Sequence, residues 1–260
     1  MVGRPGIAPP VGTTSAVKER EMDGRRKPQR RKHKPVALGP RFNKDAAKER
    51  SKDIVNDVSV FDDTVLTPYL RLGTCRYFVI KSFSEANVHK SVKYGVWTST
   101  DTINMTLDMA FKSDLACIRP ILLFFSVCGS KHFCGIARMT SAVNFDLNFG
   151  LWEKQKYEGY FRVEWLVLKD VPNHVLMKVQ LNQKSFPRAC DGDEVAYNEA
   201  TEFMHCYMSY PSTTTLLDDM AYYNDQQVAL EGKRNLSIHA HDGDADDLDS
   251  FLIPAVIPSS

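Results

Sequence analysis

From Gly73 to Pro211 the chain alternates apolar runs with clusters of turn-forming residues, a spacing that predicts strands interleaved with helices. RYFVIKS (Arg76 to Ser82) alternates with strong β-formers. ILLFFSV (Ile121 to Val127) and HFCGIARM (His132 to Met139) are apolar runs parted by CGSK turn chemistry. YFRVEWLVLKDV (Tyr160 to Val171) is a longer strand that stops at Pro172-Asn173. Three further stretches read as helices. SEANVHKSVKY opens on Ser84 as an N-cap and sets Val88, Val92 and Tyr94 near one face, LDMAFKSD has helical spacing, and EVAYNEATEFMHCYMSY carries apolar residues at three- and four-residue steps. The pattern is that of one α/β domain of about 140 residues.

The flanks lack this pattern. Residues 1–60 are expected to be a disordered basic tail: through Asp53 they combine GRPGIAPPVG with RRKPQRRKHK and almost no aromatic residues, too little apolar surface to offset ordering entropy. Residues 212–260 are expected to be an acidic, mostly disordered tail, with a short helix near Leu216 to Tyr223. The net charge of +1 therefore hides an asymmetry, with 15 basic against 6 acidic residues up to Asp53 and 2 against 9 beyond Pro211. A cationic head attracts phosphate backbones, and an acidic tail competes with them.

The remaining chemistry excludes more than it suggests. The N-terminus has no apolar signal core, and Ile121 to Val127 is far short of the roughly 20 residues that span a bilayer, so no membrane partner is expected and the chain reads as intracellular. The six cysteines form no CxxC pair and read as buried free thiols. There is no GxSxG elbow, HExxH, P-loop or dinucleotide fingerprint, and DGDADDLD (Asp242 to Asp249) lacks the mid-loop Gly and terminal Glu of a calcium loop. Neither an enzyme, a metal nor a cofactor is indicated.

The tryptophans are more informative. Trp97 in KYGVWTST and Trp152 in NFGLWEKQKY fall at the ends of predicted elements among Gly, Ser, Thr and charged residues, whereas Trp165 lies inside a strand and reads as packed. Aromatic faces in polar, loop-like settings suit a flat, cationic or methylated ligand; each could equally plug the edge of a core.

In order and spacing, RYFVIKSFSEANVHKSVKYGVWTST, LLFFSVCGSKHFCGIARMTSAVNF and GLWEKQKYEGYFRVEWLVLKDVPN resemble the YTH domain family, closest to its YTHDF-like branch, across residues 73–211. The resemblance implies a six-stranded mixed sheet curled into a barrel and flanked by helices. It also implies a non-catalytic reader of N6-methyladenosine in single-stranded mRNA that influences stability and translation, with effector proteins recruited through the tails. Trp97 and Trp152 would wall a cage around the methylated base, with Tyr157 where YTHDF proteins have a third tryptophan. Asn87 would bond the Watson-Crick edge, the Phe83 backbone N–H a ring nitrogen and the Thr98 carbonyl the remaining N6 hydrogen; Ser82 would line the pocket.

Lys81, Lys90 and Arg188 would contact RNA backbone. Cys190 stands in place of a phosphate-binding arginine, Glu158 in place of a lysine, and TINM (Thr102 to Met105) in place of a basic stretch, so the domain is expected to hold flanking phosphates weakly. The resemblance favours the cytoplasm, while the basic run is compatible with the nucleus. The alternative is a YTH-fold protein that binds an unmethylated RNA motif through another surface.

RRKPQRRKHK reads either as a solvated tail or localisation signal, or as a cationic arm supplying the missing phosphate contacts. For an arm, deleting residues 1–38 weakens RNA binding several-fold and flattens its salt dependence in titrations at graded ionic strength; unchanged affinity and slope exclude it.

Overall fold

Strands covered on both faces need apolar side chains at successive positions, and the two parallel strands of the sheet meet that demand. In the computed structural model, which describes residues 63–113, 119–152 and 157–241, Tyr77 and Val79 of β1 (Arg76–Ser82) enter one core while Phe78 and Ile80 enter a second. Leu122 and Phe124 of β3 (Ile121–Val127) likewise face the first core, and Leu123 and Phe125 the second. β1 runs parallel to β3, which pairs antiparallel with β4 (His132–Met139), itself antiparallel to β5 (Phe161–Pro172).

Two short strands complete the sheet. β2 (Val96–Trp97) pairs with β5, and β8 (Glu194–Val195) with β1, giving the order β2-β5-β4-β3-β1-β8. A separate hairpin joins β6 (Gln180–Leu181) and β7 (Lys184–Ser185). Register shifts on both sides of β4 bend the sheet, which curls around its second core. Gly135 sits at that bend: a Cβ there would lie 2.6 Å from the Trp165 ring and 2.8 Å from the Val167 carbonyl, so only glycine admits the indole.

Helices cover both faces. α1 (Thr67–Leu72) follows a 3-10 turn at Asp63–Leu66. α2 (Glu85–Tyr94) begins where the Ser84 hydroxyl accepts the Asn87 N–H at 3.3 Å, and ends at Gly95, whose φ of +64° turns the chain directly into β2. α3 (Asp101–Lys112) buries Leu107 and Ala110 in the second core beside Val88 of α2. After the single turn α4 (Asn173–Leu176), α5 (Tyr197–Ser209) buries Ala200, Phe203, Met204 and Tyr207 in the first core, with the Phe203 ring 4.4 Å from both Phe124 and Phe186.

The predicted strands coincide with β1, β3 and β4, and with β5 to within a residue at each end. The six-stranded mixed sheet implied by the resemblance is present. Two expectations change. Cys75, Cys134 and Cys206 are buried, but Cys128, in the turn after β3, and Cys190, just after the 3-10 turn Phe186–Arg188, are exposed; Cys117 lies outside the described residues.

The second change concerns the acidic tail, expected to be mostly disordered from residue 212. Instead a 3-10 turn at Leu216–Asp219 leads into α6 (Met220–His241), and Thr215, Leu216, Asp219, Tyr223 and Gln227 are buried. Their anchor is α2. The Tyr223 hydroxyl donates to Glu85 at 2.6 Å, and His89 meets the Met220 sulfur and the Tyr223 ring. The basic tail expected over residues 1–60, and DGDADDLD, lie outside the described residues.

His89 is 1% exposed, and burial, with Lys93 and Lys90 adding repulsion, pushes its pKa down from 6.5 to about 4 despite Asp219. The unfolded chain therefore binds a proton that the folded chain refuses, so stability is complete above about pH 6.5 and falls as pH drops toward 4. The urea-unfolding midpoint is expected to decline across that interval, and His89→Gln to flatten the decline.

Candidate nucleic-acid interface

Where β1 gives way to α2, Ser82 is turned inward: its hydroxyl donates to the Ser84 carbonyl at 2.6 Å, which tightens the turn through Phe83 and sets Asn87 in the first turns of α2, 3% exposed. Opposite them, β2 carries Trp97 to the edge of β5, pairing it with Phe161. The Trp97 ring stands edge-on to Phe125, with centroids 4.9 Å apart at 90°, and meets Trp152 at 5.4 Å and 73°. Trp152 leans in turn on Phe149 at 5.1 Å.

These elements border a narrow recess lined by Lys81, Ser82, Phe83, Asn87, Trp97, Thr98, Ser99, Trp152, Tyr157 and Asp191. Trp97 and Trp152 are 4% and 2% exposed, yet neither indole N–H has a hydrogen-bond partner. A buried unpaired donor costs about 1 to 3 kcal/mol, and two side by side are not what packing alone selects.

The far wall is held by Asn104, a fully buried residue in the first turn of α3. Its amide NH2 donates to the Thr98 hydroxyl at 3.0 Å, the Ser99 carbonyl at 3.3 Å and the Glu158 carbonyl at 2.9 Å, while its oxygen accepts the Ser99 N–H at 2.9 Å. One side chain thus ties the segment after Trp97 to the segment after Tyr157. Asp191 does the same on the other side, accepting the Lys81 N–H at 2.8 Å and the Ser99 hydroxyl at 3.0 Å. Burial pushes the Asp191 carboxyl above its ordinary range against these two hydrogen bonds, and pushes Lys81 down to about 8. The Lys81 ammonium remains protonated at neutral pH, 4.4 Å from the Phe133 ring and 3.5 Å from the Pro187 carbonyl.

Of the residues singled out in the sequence, Lys81, Ser82, Phe83, Asn87, Trp97, Thr98, Trp152 and Tyr157 meet around this recess. Lys90 and Arg188 do not line it: Lys90 is buried within α2 at 5% exposure, and Arg188 is exposed on the 3-10 turn Phe186–Arg188. Cys190 and Glu158 are exposed. Asp191, Ser99 and Asn104 were not singled out: Asp191 acts on Lys81 and Ser99, 110 and 92 residues away, and Asn104 reaches Glu158, 54 residues away, which no local motif signals. Among the described residues no group of three or more His, Cys, Asp or Glu is placed to hold a metal, and no helix is long and apolar enough to cross a membrane.

A narrow recess bordered by two crossed indoles and lined by Ser82, Asn87 and Thr98 has the chemistry of a binding module for flat, polar-edged groups. Residues 75–208, just over half of the sequence, match the YTH (YT521-B-like domain) family model, and the chain belongs to that family. It is 38% identical over 170 residues to YTH domain-containing family protein 2 of Danio rerio, covering 64% of this chain and 28% of that protein. It is 40% identical over 163 residues to YTH domain-containing family protein 1 of Mus musculus, covering 62% and 29%. The chain thus spans under a third of the length of these relatives.

Among solved structures, the Pho92 YTH domain in complex with m6A superposes with a TM-score of 0.52 at 32% identity, over 55% of this chain and 92% of that one. The YTH domain of Zygosaccharomyces rouxii MRB1 in complex with N6-methyladenosine RNA gives 0.50 at 33%, over 54% and 90%.

Asn104→Ala removes four hydrogen bonds and leaves the Ser99 N–H and Glu158 carbonyl unpaired. A loss of about 2 to 4 kcal/mol in urea unfolding is expected, together with weakened RNA binding at temperatures where the variant is still folded.

Proposed function

We propose that the domain is a non-catalytic reader of N6-methyladenosine in single-stranded RNA. The observation that carries this is convergence: Ser82, Phe83, Asn87, Trp97, Thr98, Trp152 and Tyr157, named from the sequence as the base-contacting set, line one recess. The two superposable YTH domains bound to N6-methyladenosine support the same reading.

In this reading Trp97 and Trp152 enclose the methyl group and Tyr157 closes the cage. Asn87 bonds the Watson-Crick edge, the Phe83 N–H a ring nitrogen, and the Thr98 carbonyl the one hydrogen left on N6. Unmethylated adenine leaves the cage under-filled and brings a second N6 hydrogen that the single carbonyl does not satisfy. Enclosing one methyl is worth about 0.8 kcal/mol, and stacking about 1 to 3 kcal/mol per base. Together these set a methyl preference of about one to two orders of magnitude.

A binding module needs no reaction. Lys81, at the recess, is the phosphate contact; Lys90, being buried, and Arg188, away from the recess, leave the flanking backbone loosely held. The transcripts are mRNA, their fate is decided by partners engaging the flanking segments, and the compartment is the cytoplasm.

Parallel titration of one short RNA, with and without the N6-methyl group, tests the reading. The methylated strand is expected to bind 10- to 100-fold more tightly, and Trp97→Ala or Trp152→Ala to bring the two together. Equal affinities for the wild-type chain would show instead an RNA-binding surface elsewhere on the fold.

A further inference from the structure

The family match ends at residue 208, yet the chain continues as a folded element. That element is joined to the recess by two separate routes. The first is α2 itself. The Tyr223 hydroxyl donates at 2.6 Å to Glu85, which is fully buried in the first turn of α2, two residues before Asn87. One turn on, His89 packs on Met220 and Tyr223, and at the end of α2 Lys93 donates to Asn224 at 3.0 Å. Glu85, His89 and Lys93 are four residues apart, so α6 engages one continuous stripe of α2 over its whole length.

The second route reaches the opposite wall. The Gln227 amide donates to the Tyr94 hydroxyl at 2.8 Å, the Tyr94 ring packs edge-on against Phe149 at 5.4 Å, and Phe149 packs edge-on against Trp152 at 5.1 Å. Asn87 and Trp152, which both line the recess, therefore lie on segments backed by α6.

We infer that α6 is part of the recognition apparatus, with Tyr223 and Gln227 as positioning residues that hold Asn87 and Trp152 at the spacing of a methylated base. This rests on the reader assignment for the identity of the ligand, and on the contacts alone for the coupling. Among the described side chains of α6, those buried are Tyr223 and Gln227, whose hydroxyl and amide N–H reach specific partners, while Val228 and Leu230 are exposed. Buried hydrogen bonds of this kind fix geometry more than they add stability.

The consequence runs against the competition expected of an acidic tail. Truncation before Tyr223 loosens the recess instead of freeing RNA, and lowers the preference for the methylated base.

The test uses the full chain carrying Tyr223→Phe, Gln227→Ala, and both. Tyr223→Phe keeps the ring against His89 and removes only the hydroxyl. Two readouts are taken at a temperature where circular dichroism shows every variant folded: the affinity ratio for methylated over unmethylated RNA, and backbone hydrogen exchange without RNA. The double variant is expected to lower the ratio several-fold, and to speed exchange in residues 83–94 and 149–152 while leaving β3 and β4 protected. If the double variant unfolds, Tyr223→Phe alone decides, through faster exchange in residues 83–87 and a lower ratio.

A simple stabilising helix would shift the urea midpoint and leave the ratio and the local exchange unchanged, and that result overturns the inference. Absence of any methyl preference in the wild-type chain would sink the reader assignment, and the exchange measurement would still decide the coupling.

Discussion

Trp97 standing edge-on against Phe125 is the contact on which the recess depends. Phe125 belongs to the central strand β3 and is itself held from the other side by Trp165, at 4.5 Å, which fits only because residue 135 is glycine. The cage is therefore continuous with the core. Gly135 admits Trp165, Trp165 supports Phe125, Phe125 fixes Trp97, and Trp97 sets the angle of Trp152. Edge-to-face contacts are worth about 0.5 to 1.5 kcal/mol each beyond their buried area, and a run of them resists rotation of any single ring. A wall built this way is preorganised, so a ligand does not have to supply the free energy of assembling it.

The same continuity explains what could and could not be read from the sequence. β1, β3, β4 and β5 were legible because strands packed on both faces must be apolar almost without interruption, and few other arrangements produce such runs. Ser84 was legible as a cap because its chemistry is local. The meeting of Trp97 and Trp152, 55 residues apart, came from resemblance alone; no local pattern announces that an indole on a short strand and one in a loop meet.

Other features were hidden for specific reasons. Asn104 works through four partners at 98, 99 and 158, of which only the near ones are implied by helix-start chemistry. Of α6 only the start was legible, as the short helix expected near Leu216 to Tyr223, because its described side chains show no apolar stripe: Gln227 is 6% exposed while Val228 is 68% exposed, the inverse of the pattern that marks an amphipathic helix. Polar contacts to α2 tie its first turns to the domain.

The electrostatics of the recess follow from the same enclosure. Lys81 and Asp191 share one boundary of it, and burial works against the charged form of each, lowering the lysine and raising the aspartate. Because the Asp191 carboxylate accepts the Lys81 backbone N–H and the Ser99 hydroxyl, it serves to hold β1 against the segment after Trp97, while the Lys81 ammonium lies against the Pro187 carbonyl and the Phe133 ring. A single cation of that kind supplies little counterion release compared with proteins that make six to ten phosphate contacts. On the proposed reading, selection is weighted toward the base itself, with the enclosed methyl and the stacked ring carrying the discrimination and the backbone adding modest affinity. In such a balance an error of an ångström in the position of Asn87 or Trp152 costs more than the loss of a surface charge, because hydrogen bonds weaken steeply with misalignment while screened charges do not. Bracing both residues from one helix is a way to meet that tolerance in a domain whose flanking phosphate contacts are sparse.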